Sequence, residues 1–189
     1  MRDVDVRVAL HERLASAHAD ELDDTLILDE LGLCGEVRVD VAVVNGALSG
    51  FELKSARDNL RRLPRQVEIY SQVLDYAVLV VADNHLAAAK GIVPRWWGLT
   101  VATSSKGEVE LEEIVEPRMN RGVDPMSLAQ LLWREEALEE LTLRGCDRGV
   151  RSKPRWAVWT RLTEVTDVEE LRGVVRSRLK ARPSWRDDR

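Results

Sequence analysis

The chain has 189 residues, with 28 Lys and Arg against 33 Asp and Glu, a formal net charge of −5, and 44% hydrophobic residues. This composition belongs to a folded globular protein long enough to bury a core, and no run of about 18 apolar residues is present to span a membrane. Two cysteines (Cys34, Cys146) without a CxxC spacing and three scattered histidines (His11, His18, His85) exclude a disulfide framework, a zinc ribbon and a histidine-rich metal site.

In chain order, the charged opening MRDVDVRVALHERL lacks a signal-peptide apolar stretch, which predicts a cytoplasmic protein, and Val4–Ala17 reads as a helix starting near Asp3 or Asp5. Arg38–Val44 alternates and is rich in β-branched residues, so it reads as a strand. Asn45-Gly46 signals a turn, and Leu48–Ser55 returns as the second strand. A helix follows from about Asp58 to Asp75, interrupted or restarted at Pro64. Ala77–Ala82 is a continuous apolar run, the pattern of a strand buried on both faces. A short helix at His85–Lys90, a strand at Trp97–Ala102 and an alternating edge strand at Glu108–Val115 complete residues 1–117. The order predicts an α/β fold, a mixed sheet flanked by helices.

Residues 118–189 read as a helical extension. Ser127–Leu143 is one strong helix closed at Gly145. Pro154–Val165 is a second, and Thr166 with Glu169 forms a capping box for a third over Asp167–Ala181. This extension is also basic: residues 1–143 carry 15 basic and 26 acidic side chains, residues 144–189 carry 13 and 7. Such a tail reads as a solvated basic helix pair, a DNA platform, a surface for a partner protein, a lid or a homodimerisation element. Trp156 and Trp159, three apart, fit a buried helix face.

The chemistry concentrates in residues 38–70. Side chains alternate along strands, so Glu52 and Lys54 share one face of the second strand. An odd-length hairpin loop puts Asp40 on that face too. A two-residue Asn45-Gly46 turn would instead put the Asp40 carboxylate beside Phe51, mixing it with the core, which costs several kcal/mol, on the order of 2–7. The expectation is therefore a three-residue loop, Val44–Gly46, with Gly46 left-handed. Two carboxylates beside one ammonium suit a hard divalent ion and phosphodiester hydrolysis. The alternative is an exposed ion pair worth little.

An Asp on one strand and Glu-x-Lys (Glu52-Leu53-Lys54) on the next resembles the PD-(D/E)XK nuclease superfamily, with its restriction-endonuclease-like fold. The following helix carries Gln66-Val67-Glu68-Ile69-Tyr70, similar to the Gln-x-x-x-Tyr motif of the RecB-type branch. The likeness covers about residues 26–82, and Val39 stands where the family signature has proline. In layout the chain is similar to small stand-alone bacterial members.

The resemblance implies a Mg²⁺- or Mn²⁺-dependent deoxyribonuclease, acting in DNA repair or in defence against foreign DNA. It implies that Asp40, Glu52 and the Leu53 carbonyl bind the metal, with Glu30 as a further ligand and Glu36 a weaker candidate. Lys54 is implied as the catalytic lysine, and Gln66 and Tyr70 as groups that position substrate or brace the site. Arg57, Arg61, Arg62 and Arg65 are candidate phosphate clamps. The alternative function is a nuclease fold that grips nucleic acid or a partner without cutting.

Overall fold

The computed structural model describes residues 2–105 and 108–182. Helix α1 (Asp3–Ala17) precedes a 3-10 turn and three antiparallel strands, β1 (Leu26–Leu33), β2 (Val37–Val44) and β3 (Leu48–Lys54). Helix α2 (Leu63–Val73) crosses over to β4 (Tyr76–Ala82), and α3 (Leu86–Lys90) leads to β5 (Gly98–Ser105). Strand β6 (Glu108–Val115) returns antiparallel to β5. The six strands lie in sequence order, with β3, β4 and β5 parallel, so the mixed sheet follows from two helical crossovers among hairpins.

Both faces are covered. Val6, Leu10 and Leu14 of α1 pack on Val41, Val43, Leu53, Val78 and Val80. On the other face Ile69, Tyr70, Val73 and Leu74 meet Ala42, Val44, Leu48, Leu79 and Val81. Strand β4 thus feeds alternate residues into two cores, which explains its unbroken apolar run.

Four helices follow: α4 (Pro125–Ala129), α5 (Arg134–Leu143), α6 (Arg155–Val165) and α7 (Val168–Ala181). Their Leu128, Leu132, Leu141, Val158, Trp159, Leu162, Leu171 and Val175 join the same core as α2. A buried polar junction reinforces the seam. Asp75 accepts from the Leu48 N–H at 2.7 Å and from Arg172 of α7, while Arg172 Nη2 donates to the Asn120 carbonyl at 3.0 Å.

Several sequence expectations need correction. The hairpin loop has three residues, but they are Asn45–Ala47, because Val44 still pairs with Leu48. Gly46 is not among the residues with positive φ, since the Asn45 side chain closes the loop by accepting from the Ala47 N–H at 3.1 Å. Strand β1 was not anticipated. Helix α2 starts at Leu63, with Pro64 in its first turn where a missing N–H costs nothing. The expected helix Ser127–Leu143 is two, because Trp133 begins a new helix with its N–H donating to the Glu136 carboxylate at 2.7 Å. Asp167 caps α7, while the Thr166 hydroxyl donates back to the Leu162 carbonyl. Trp159 is buried, donating to the Leu132 carbonyl at 3.1 Å, but Trp156 is exposed.

One irregularity places the site. Strands β2 and β3 pair only over Val41–Val44 and Leu48–Phe51. Beyond that point β2 stays with β1 and β3 stays with β4, so the two diverge like a fork. At the fork Glu30 has a φ of 58°, and the alternation slips: Leu28 and Leu31, like Val39 and Ala42, face one core although three residues apart. Val39 therefore leaves the face expected for it.

Candidate active site

Asp40 and Glu52 stand on the two prongs of the fork. Divergence leaves the Leu53 N–H without a strand partner on β2, and Asp40 Oδ2 accepts it at 2.8 Å. Glu52, one of the most buried polar residues, is held on both oxygens. Lys54 Nζ and Gln66 Nε2 donate to Oε1, the latter at 2.6 Å, and the Tyr70 hydroxyl donates to Oε2. Lys54 Nζ also donates to Gln66 Oε1 at 3.2 Å. Gln66 and Tyr70 reach one carboxylate because residues four apart share a helical face.

Tyr70 is fixed from behind by Trp97, whose ring stacks on it at 5.5 Å between centroids. The Tyr70 hydroxyl is also 3.0 Å from the Arg38 carbonyl, but its one proton goes to the carboxylate, the stronger acceptor. Burial and the Glu52 charge push the phenol far above its usual range, so it stays a donor. The Asp40 carboxyl is pushed up to about 7, first by burial and then by the Glu52 charge, against the opposing pull of the Leu53 N–H, Lys54 and Arg7. Thr100, Ser55 and Asp75 are also buried polar residues, but they lie outside this cluster of contacts.

A cavity of about 1090 Å³ is lined by Asp40, Glu52, Leu53, Lys54 and Gln66 together with Arg38, Arg61, Arg62 and Arg65. Arg57 is exposed and does not line it. Arg65 is engaged by Glu36 and Glu68, so Glu36 serves as its partner. Arg61 and Arg62 have no carboxylate partner among the described residues. Glu30 lines the cavity with its carboxylate between Arg7 and Arg38, each at 3.3 Å.

Arg7 is the residue that sequence reasoning missed. It reaches from α1 to donate to the Asp40 carbonyl at 2.6 Å, and lies 3.5 Å from Asp40 Oδ1 and 3.2 Å from Asp29. One arginine among several charged residues on a helix carries no local signal for a contact with residue 40.

The basic C-terminal residues are largely neutralised within the chain. Arg144 pairs with Glu140 and Glu170, Arg151 with Asp147, Arg178 with Glu139 and Glu140, and Arg182 with Glu136. Arg172 and Arg176 both face Asp75.

The donor set suits a hard divalent ion. The two carboxylates and the Leu53 carbonyl are oxygen donors of the type such an ion takes, and the Asp40 carboxyl is raised first by burial and then by the Glu52 charge, which a cation would offset. Among the described residues no group of three His, Cys, Asp or Glu side chains is placed to hold a metal. A Mg²⁺ ion commonly uses one or two carboxylates and completes its shell with water and phosphate.

A family model for bacteriophage P4 protein cII matches residues 1–188. The chain belongs to that family. A curated member, protein cII of Enterobacteria phage P4, is 28% identical over 120 residues, covering 63% of this chain. The matched part is 45% of that relative's length, so the chain spans under half of it. Among solved structures, a protein of unknown function from Silicibacter pomeroyi matches at 17% identity and a TM-score of 0.39, covering 65% of this chain and 82% of its own. SfsA of Pyrococcus furiosus, solved in complex with Ca²⁺, matches at 16% identity and a TM-score of 0.31, covering 55% and 58%. No described helix is long and apolar enough to cross a membrane.

Proposed function

We propose that this chain is a divalent-metal-dependent nuclease of the PD-(D/E)XK type, hydrolysing phosphodiester bonds in DNA. One observation carries the reading: Asp40 and Glu52, from two diverging strands, line one cavity with Lys54 and Gln66, and Tyr70 hydrogen-bonds Glu52. Asp40, Glu52 and the Leu53 carbonyl would hold Mg²⁺ or Mn²⁺. Bound there, such an ion polarises a phosphoryl oxygen and lowers the pKa of a bound water.

The chain's own groups have separable tasks. Lys54 presents an ammonium to developing negative charge or to the attacking water. Gln66 fixes both Lys54 and Glu52, and Tyr70 keeps Glu52 oriented through a proton it does not lose. Arg61 and Arg62, which have no carboxylate ion-pair partner among the described residues, are the lining groups suited to backbone phosphates. A role in DNA repair or in defence against foreign DNA, in the cytoplasm, is consistent with this chemistry.

A second reading, a nuclease fold that binds nucleic acid or a partner without cutting, is favoured by one feature. Glu52 already accepts three hydrogen bonds from the chain, two on Oε1 and one on Oε2, which leaves about one of its four lone-pair sites for a metal ion. The test is incubation with linear, nicked, circular and single-stranded DNA, with Mg²⁺, Mn²⁺ or EDTA. Cleavage that needs the ion and is lost in Asp40→Ala, Glu52→Ala and Lys54→Ala supports the nuclease. Binding without cleavage supports the second reading, and cleavage that survives all three substitutions refutes this site.

A further inference from the structure

We infer that Arg7 is a built-in counter-cation of this site, a positioning residue that occupies one flank of the Asp40 carboxylate and weakens divalent-ion binding there; the inference rests on the nuclease reading. The guanidinium serves four carboxylates from three elements. Nη1 donates to the Asp40 carbonyl at 2.6 Å and lies 3.2 Å from Asp29 Oδ1. Nη2 is 3.3 Å from Glu30, 3.5 Å from Asp40 Oδ1 and 3.7 Å from Asp3. Consecutive strand residues normally point to opposite faces, yet Asp29 and Glu30 both turn to Arg7. Glu30 has a left-handed backbone, a conformation unfavourable for a non-glycine residue, at the point where the alternation breaks.

The chain therefore accepts local strain in β1 to bring acidic groups to one cation. Asp40 is consequently divided between two donors: Oδ2 faces the Leu53 N–H and Oδ1 faces Arg7. A divalent ion binding Asp40 meets the guanidinium's positive charge on the same carboxylate. Glu30, the further ligand implied by the resemblance, is turned to Arg7 and Arg38.

The test is a Mn²⁺ titration without DNA, at fixed pH and low ionic strength, read by calorimetry or by loss of free-Mn²⁺ paramagnetic signal. Arg7→Gln is expected to bind Mn²⁺ about tenfold more tightly, the size of one positive charge's repulsion of a divalent ion at waterlike screening. Arg7→Lys keeps the charge and is expected to stay near the unaltered protein. A purely structural Arg7 would give the opposite sign, since a loosened Asp40 binds metal less well.

Equal or weaker binding by Arg7→Gln overturns the inference and leaves the nuclease reading standing. Binding by Arg7→Gln but none by the unaltered protein supports the inference while removing metal dependence from the native site. No binding by either overturns both. If Arg7→Gln shows no melting transition, Arg7→Met, which keeps the aliphatic stem, takes its place; loss of folding in both makes Arg7 a structural residue and overturns the inference.

Discussion

Replacing Asp40 by Asn is expected to stabilise the metal-free protein. Folding moves this carboxyl from an ordinary 3.8 to about 7, because its side chain is only 22% exposed and shares the fork with Glu52. Between those values the folded chain holds a proton that the unfolded chain releases, so stability falls as pH rises from about 4 to about 7. Above pH 7 the full penalty applies, about 4 kcal/mol at 1.36 kcal/mol per pH unit. Asn removes the penalty and can still accept the Leu53 N–H through its amide oxygen. It gives up the contact with Arg7, a mostly buried pair, and leaves that guanidinium to Asp3, Asp29 and Glu30 at a cost of about 1 kcal/mol. The net gain is about 3 kcal/mol at pH 8, a rise in melting temperature of roughly 6–12 °C for a chain of this size. Calorimetric melts of both proteins in EDTA at pH 8 and pH 5 measure it, the gain shrinking to under about 2 kcal/mol at pH 5. A variant no more stable than the parent at pH 8, or a gain that does not shrink at pH 5, refutes the reasoning.

Three further outcomes are expected. Asp75→Ala strands the buried Arg172 guanidinium and the Leu48 N–H together, costing about 3–5 kcal/mol; urea unfolding measures this. Arg172→Ala is expected to cost less, because Asp75 keeps Leu48 and Arg176, and equal costs would refute that account of the seam. Gly50→Ala puts a Cβ against the Leu74 side chain and 3.1 Å from Val39 Cγ1, an overpacking that costs roughly 1–3 kcal/mol, visible as a lowered melting temperature with native circular dichroism.

What the sequence disclosed and what it hid have physical causes. The β2–β3 hairpin was legible because a carboxylate at residue 40 and a period of two allow only an odd loop, and three residues do connect the strands. The face shared by Gln66 and Tyr70 was legible from helical spacing alone. Strand β1 was hidden because Asp29-Glu30 and Gly32 interrupt its alternation, and the interruption is the kink that turns both acids toward Arg7. Arg7 was hidden because contact with residue 40 is long-range. The charge split at residue 144 was real in composition but misleading about surface, since most of those arginines face carboxylates of the same chain. The break at Gln130–Trp133 had a signal, Glu136 three residues after Trp133, that apolar periodicity masked.

The fork has a mechanical consequence. Asp40 rides with β1 and β2, whereas Glu52 and Lys54 ride with β3 and β4, joined below by only four cross-strand pairs. The two prongs resemble the arms of a caliper, each carrying one carboxylate of the site. A packing change in β1 acts on Asp40 first and reaches Glu52 through the four pairs below, the Leu53 N–H bond to Asp40 and the Tyr70–Arg38 contact.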